Sequence, residues 1–401
     1  MKKYIATLLC AAMLLALVVG CGGVSDPPET YYPEMGEPLI GVEVFPDDEE
    51  PENGNDFEHE NDSEPDHECF VIDFLGAFYY FAPETVMMTI GDITVTWEEL
   101  FFGLHIAVMT ILEQLGEITD WYQVFADDMT LAEAALSMGQ GHILRFKSID
   151  YGAALLGVTL SEQDLNFIQM QIEAFTEQFG GEDEFMEFLW FDSGVRSESM
   201  FEYILQTSLL IDVIREAIFG LGGELLTDEM ADEFFSERDD GFMMAKHILI
   251  QFGDDPEDAT QRADEIWGRL NAYTGDDIEL YFDELMFEYS EDPGLASFPQ
   301  GYLFQFFDMV PEFSQGTYEL EIGQFSEPIE TVHGYHIIFR VPLDFDQIPF
   351  SFMHMGRNET LRGFAAMNLF SEMLGNWYDA LEPVFSDEFN SIVISEIFLP
   401  C

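Results

Sequence analysis

From about Val86 the apolar residues of the chain follow one rhythm, and near Gly241 the rhythm changes. VMMTIGDITVT has the two short apolar runs and the central Gly91–Asp92 of a hairpin. It leads into a helix: Thr96 and Glu99 have capping-box spacing, and Trp97, Leu100, Leu104, Val108, Ile111 and Leu115 fall on one stripe. Further helical patterns follow in LAEAALSMGQGHILRFKSIDYGAALLGV, in SEQDLNFIQMQIEAFTEQFGG with Thr159 and Glu162 as its cap, in EDEFMEFLWF and in SMFEYILQTSLLIDVIREAIF. Thr227 caps the next, DEMADEFFSERDD. Together they predict an all-α body with abundant Phe and Met and no catalytic constellation.

Then period two takes over. GFMMAKHILIQF reads as a strand, with Ala245, His247 and Leu249 on one face and Met244, Ile248 and Ile250 on the other. Asp255–Pro256 starts a helix with proline at its first position, burying Ala259, Ala263, Ile266, Trp267 and Leu270. A second helix puts Ile278, Phe282, Leu285 and Tyr289 inward. A Pro- and Gly-containing segment and a strand, GYHIIFRV, close a small α+β domain. Beyond it, Phe364, Met367, Phe370, Leu374, Trp377 and Leu381 form another helical face, and SIVISEIFL reads as extended.

The N-terminus changes the compartment. MKKYIATLLCAAMLLALVVGCGG has a Lys2–Lys3 charge pair, a short apolar run and small residues at its end, as a secretory signal does. Val18–Val19–Gly20–Cys21 resembles a bacterial lipobox, whose cysteine carries acyl chains. Residues 1–20 are therefore expected to be a signal peptide, and Cys21 the lipidation site anchoring the protein to the outer face of a cell membrane. Residues 21–85 read as a tether, because VFPDDEEPENGNDFEHENDSEPDHE has too little apolar surface to fold and its like charges extend it. His59 and His67 lie in that solvated stretch. Its last part, CFVIDFLGAFYYFAPETV, is apolar enough to suit either the folded body or a membrane surface. Of four cysteines, Cys69 and Cys401 remain after Cys10 and Cys21. Two so far apart make no disulfide framework, and nothing has metal-ligand spacing.

Composition narrows the partners. Hydrophobic residues make up 48% of the chain, enough for substantial cores, while 13 Lys and Arg face 79 Asp and Glu for a formal charge of −66. Such a chain does not bind nucleic acid, which needs clustered cations, and an anionic membrane repels its body.

The tripeptide HIL occurs twice, at His142 and at His247. His142 sits in a helix with Arg145 and Lys147 and no acid–base partner, and reads as structural. His247 has other company. AKHILI, EYSEDP, DMVPEF, IGQFSEPIET and HGYHIIFR follow one another between Met243 and about Pro342, in the order of a parvulin-type peptidyl-prolyl isomerase domain, which this segment resembles. With a lipobox and helical flanks, the chain is similar to PrsA-like extracellular foldase lipoproteins and, more distantly, to SurA-type periplasmic chaperones. The resemblance implies an α+β fold in which a parvulin-like domain, a small sheet flanked by helices at 240–343, is inserted between two parts of a mostly α-helical chaperone domain, at 86–239 and 344–401. It places the catalytic set on His247, Asp292, Thr331 and His336, and the apolar proline pocket on Leu303, Met309 and Phe313. His333 stands beside the pocket where the family often has a small hydroxyl residue.

No cofactor is implied, since rotation about an X-Pro bond needs no covalent nucleophile. The expected partners are exported polypeptides with X-Pro bonds, with the membrane through the lipid anchor; a homodimer is left open. The chain departs from the family's GGxLG-like turn, having Gln300–Gly301–Tyr302–Leu303–Phe304, and the QFGDDPEDAT loop has no cations to recognise a phosphate. Two functions fit: an active isomerase with chaperone flanks, or a non-catalytic holdase that keeps the parvulin fold as a binding module. A solute-binding lipoprotein would need two larger lobes with repeated βαβ patterning, which the chain lacks.

Overall fold

A computed structural model of the chain describes residues 72–399, other than 127, 237, 239–240 and 254–255. The signal sequence, Cys21, the tether up to residue 71 with His59 and His67, and the Cys69 and Cys401 thiols lie outside the described residues. The chain forms two compact units. The first takes the described residues up to Tyr151, then Leu165–Gln206 and the chain from Trp377 onward. The second takes Gly152–Asp164 and Thr207–Asn376.

The first unit begins inside the stretch read as tether. Helix α1 (Phe74–Phe78) buries Ala77 and Phe78, and the Trp97 indole donates to the Phe78 carbonyl at 2.6 Å. The apolar CFVIDFLGAF stretch thus ends in the folded body. Strands β1 (Val86–Ile90) and β2 (Ile93–Thr96) make the expected hairpin around Gly91–Asp92. Helix α2 (Trp97–Leu115) starts with the expected capping box: Thr96 N–H donates to Glu99 Oε2 at 2.8 Å, and Glu99 N–H donates back to Thr96 Oγ1. Trp97, Leu100, Leu104, Val108 and Ile111 are fully buried, but Leu115 is exposed, because the stripe runs out a turn before the helix ends at Gly116. A short ribbon of β3 (Val124–Ala126) and β4 (Met129–Thr130) precedes α3 (Leu131–Leu156), which carries a half-buried His142. The cap of α4 (Glu162–Phe179) is Ser161 with Asp164, two residues later than the expected Thr159 and Glu162. Ser161 N–H donates to Asp164 Oδ2 at 2.8 Å, so the same i,i+3 logic uses a shorter acid. Helices α5 (Glu182–Ser193) and α6 (Glu198–Phe219) follow.

In the second unit, Thr227 Oγ1 accepts from Met230 N–H and caps α7 (Asp228–Ser236). Then come β5 (Phe242–Ile250), α8 (Pro256–Ala272), α9 (Ile278–Tyr289), β6 (Tyr302–Gln305), α10 (Pro311–Tyr318), β7 (Ile329–Thr331), β8 (Gly334–Val341) and α11 (Phe350–His354). The four strands form one antiparallel sheet in the order β6-β5-β8-β7. Met243 to Ile250 are all buried, so β5 is covered on both faces. Helix α12 (Leu361–Asp379) buries Phe370, Leu374 and Trp377 but leaves Met367 exposed.

Back in the first unit, β9 (Val384–Phe385) pairs with β1 to give the order β2-β1-β9, before α13 (Asp387–Asn390) and α14 (Ile394–Ile397). The extended reading of SIVISEIFL is corrected here. Ile394, Ile397 and Phe398 are buried with spacings of three and four, a helical period that a run of only nine residues also admits.

Candidate active site

Strand alternation gives β5 two faces, and the register decides what joins each. Ala245 lies opposite Tyr302 and Arg340, His247 opposite Ile338, and Leu249 opposite His336. Opposed residues share a face, so Ala245, His247, Leu249, Tyr302, Phe304, His336 and Ile338 look the same way. Phe313 of α10 packs on this face with Ala245, Phe304 and Ile338. Met244, Lys246 and Ile248 look the other way. There the Lys246 ammonium lies 2.8 Å from Glu279 and from Asp283 of α9, and Phe282 packs on Phe339.

Two glycines fix the strand ends. Gly301, at φ +103°, brings β6 so close that a side chain there would meet the Ala245 carbonyl at 2.7 Å. Gly334, at φ +143°, does the same for β8 against the Ile250 carbonyl at 2.2 Å. The altered family turn therefore keeps the one glycine its geometry needs. Phe304, at the family's last glycine position, is fully buried against Phe313.

A cleft of about 600 Å³ opens on the His247 face, lined by His247, Asp292, Tyr302, Met309, Phe313, His333, His336 and Phe350 among others. Three rings meet at its floor: His247 and His336 have centroids 5.1 Å apart, and Phe313 lies 5.2 and 5.3 Å from them. Asp292 Oδ2 is 3.7 Å from His247 Nε2 and accepts the Tyr302 hydroxyl at 2.8 Å, while Oδ1 accepts the Gly294 N–H at 3.0 Å. On the opposite side, Thr331 Oγ1 is 3.0 Å from His336 Nε2 and accepts the His333 N–H at 3.1 Å. The Nδ1 atoms of His247 and His336 are buried with no partner among the described residues.

Burial holds His247 far below the ordinary imidazole range, at about 4, against the opposing pull of the Asp292 carboxylate. His336 lies at about 3, through burial first and then through His247 and His333. Both rings are neutral at pH 7. The Tyr302 hydroxyl is pushed up by burial and by its bond to Asp292, so it remains a donor.

The structure thus brings together His247, Asp292, His336 and Thr331, with Met309, Phe313 and His333 at the same cleft. Leu303 does not join them. It is buried opposite Met244 and lies outside the cleft lining, because β6 presents Tyr302 and Phe304, not Leu303, to the site face. Tyr302 and Phe350 line the cleft and were not anticipated. Aligning YLFQ against the strand before His247 would have pointed to Tyr302; nothing local in sequence marks Phe350.

Sheet, paired histidines, acid and apolar floor define a parvulin-type peptidyl-prolyl isomerase domain. Residues 247–341 match the Rotamase family, PPIC-type PPIASE domain. The chain is 37% identical to "Foldase protein PrsA" of Halalkalibacterium halodurans over 182 residues, which is 43% of this chain and 48% of that one. It is 38% identical to "Chaperone SurA" of Vibrio cholerae over 99 residues, 23% of this chain and 21% of that one. The crystal structure of PrsA from Bacillus cereus is 17% identical, with 79% of this chain and 98% of that one covered at a TM-score of 0.28. The chain spans about half the length of the curated foldases it matches. It carries a parvulin-type isomerase (rotamase) domain, flanked by helical regions, and is similar over less than half of its length to PrsA foldases.

Proposed function

We propose that the protein is a lipid-anchored, extracytoplasmic peptidyl-prolyl isomerase and chaperone that assists the folding of exported proteins. The observation that carries the catalytic part is the neutral histidine pair set between Asp292, Tyr302 and Thr331 over an apolar floor. An X-Pro bond rotates over a barrier of about 18–20 kcal/mol because amide resonance must break. Catalysis requires only that the twisted amide be bound better than the planar one.

The chemistry follows from the lining. Phe313 and Met309 give the proline ring a dry seat. As the amide twists, its nitrogen becomes pyramidal and basic, and its carbonyl loses the negative charge that resonance supplied. A low-dielectric site with fixed donors and acceptors favours that redistribution over water, which must reorganise. Neutral imidazoles offer one donor and one acceptor each without the cost of a buried charge. Tyr302 and Gly294 hold the Asp292 carboxylate in place beside His247. The negative groups at the cleft, Asp292 and Asp308, disfavour phosphorylated clients.

The chaperone part is supported by α4, which exposes Leu165, Phe167 and Met170 to solvent, apolar area that an unfolded chain can cover. The anchor is supported by the Val18–Val19–Gly20–Cys21 pattern alone. The test uses the full chain on an unphosphorylated X-Pro peptide and on its phosphorylated counterpart, followed by exchange spectroscopy. Acceleration of the first alone is expected; acceleration of neither would leave the holdase as the surviving function. Metabolic labelling with a fatty acid, lost in Cys21→Ala, tests the anchor.

A further inference from the structure

Beside the proline cleft lies a larger cavity, about 730 Å³ against about 600 Å³, and Asp308 lines both. Its walls are aromatic, with Phe242, Phe306 and Tyr318, and Phe307 on the rim. Phe307 is 94% exposed, more than any other large hydrophobic side chain described. It does not sit on a loose loop. Asp308 N–H donates to the Gln305 carbonyl at 2.9 Å and Gln305 N–H donates to Asp308 Oδ2 at 2.7 Å, closing the turn that presents the ring. An aromatic ring held in water by a closed turn serves no core, and exposed apolar area of this kind marks an interaction site.

The groove also gathers two arginines in a chain of net charge −66, beside the Asp308 carboxylate. Arg238 and Arg340 line it, two of only 13 basic residues. Arg238 is paired with Glu372. Arg340 directs Nη1 to the carbonyls of Thr317 and Tyr318 at the end of α10 and of Leu320 just beyond it, and its Nε and Nη2 have no partner among the described residues.

We propose that this groove is a second subsite of the isomerase, which takes the stretch of client chain flanking the bound proline and prefers an aromatic and an acidic residue there. The proposal rests on the isomerase reading. Because Asp308 lines both, the two cavities are neighbours that one extended peptide can span. Six residues, at roughly 3.3 Å each, reach about 20 Å, ample for neighbouring cavities. Arg340, which bonds the carbonyls through Nη1 alone, turns its remaining N–H groups to an acidic side chain, and Phe307 with Tyr318 offers rings for stacking. A second copy of this chain is a poor occupant, since two strongly acidic bodies repel.

The test compares, on the full chain, a short X-Pro peptide with peptides carrying six further residues, Phe and Glu among them, on one side or the other of the proline. Both KM and kcat are measured, and binding is followed by fluorescence anisotropy. One extension is expected to lower KM about tenfold at unchanged kcat, the scale of burying one aromatic side chain. Phe307→Ser should remove that gain and leave the short peptide's parameters untouched. Replacing Glu by Lys in the peptide should remove most of it without altering the protein, which decides the matter if the variant does not fold. Equal KM and equal binding for all peptides, or a gain that survives both changes, would overturn the subsite. If no peptide is isomerised the catalytic reading fails, and the anisotropy alone decides. Tighter binding of an extended peptide, lost in Phe307→Ser, supports the groove. Binding indifferent to the extension refutes it, and so does concentration-dependent dimerisation lost in Phe307→Ser, which would assign the rim to a second copy.

Discussion

His105 of the first unit and His247 of the second are alike by most local measures. They are 3% and 8% exposed, burial holds both at about 4, and both have ring nitrogens without partners among the described residues. Their surroundings differ. His105 lies against Phe74 and Phe101, and a side chain at Gly194 would collide with its ring, so packing closes it in. Its charged influence is Arg196, which itself stacks over Trp190 at 3.4 Å. His247 faces a cleft, with a second histidine, a carboxylate, a phenol and a greasy floor converging on it. Desolvation, the largest cause in both, brings them to the same titration although the charged neighbours act in opposite directions. Convergence around open space separates a site from a core.

That contrast can be broken in four ways, the largest effect first. Phe313→Ala removes the ring that touches both cleft histidines, and should cost about 3–5 kcal/mol in denaturant unfolding, as large core truncations do. His247→Ala should lower kcat/KM about 10²–10³-fold, the scale of losing one preorganised polar group, whereas His105→Phe, which keeps an aromatic ring, should leave it within twofold. A third test is acid. Each ring binds a proton in the unfolded chain near 6.5 but in the folded one only near 4, so its stability contribution is fully present above pH 6.5 and is lost as pH falls towards 4. By pH 5 each should have cost about 2 kcal/mol in chemical denaturation, and His105→Phe should remove one such contribution while leaving that of His247. The smallest effect is expected for Tyr302→Phe. Losing one hydrogen bond is worth about 0.5–1.5 kcal/mol, a few-fold in rate. It also frees Asp292 Oδ2 to approach His247, so the His247 titration seen by NMR should move up from about 4.

Sequence carried much of this picture where signals are local or where several pieces must agree in order. The Thr96–Glu99 box, the Gly91–Asp92 hairpin and the β5 alternation depend on near neighbours, and the structure has them where the spacing put them. His247, Asp292, Thr331 and His336 were reachable because five segments recur in one order. Leu303 and Tyr302 were not separable in the same way. Neighbours on a strand point to opposite faces, so assigning the pocket required the register of β6 on β5, a long-range property. Phe350 reaches the cleft from α11, beyond the segment that carried the resemblance. Short runs misled for the same reason: SIVISEIFL has apolar spacing that suits strand and helix, and packing chose the helix. His105 passed unnoticed because burial on a helix leaves no mark except an apolar stripe around it.

The most direct test of the account is kcat/KM for an unphosphorylated X-Pro peptide between pH 8 and 5.5, with circular dichroism confirming the fold at each point. A neutral, desolvated histidine pair predicts a flat profile across the whole range, because the rings titrate only at about 4 and about 3. A fall of about tenfold by pH 5.5, centred near 6.5, would mean that the rings titrate like solvated histidines in the working enzyme, and would contradict the buried neutral pair.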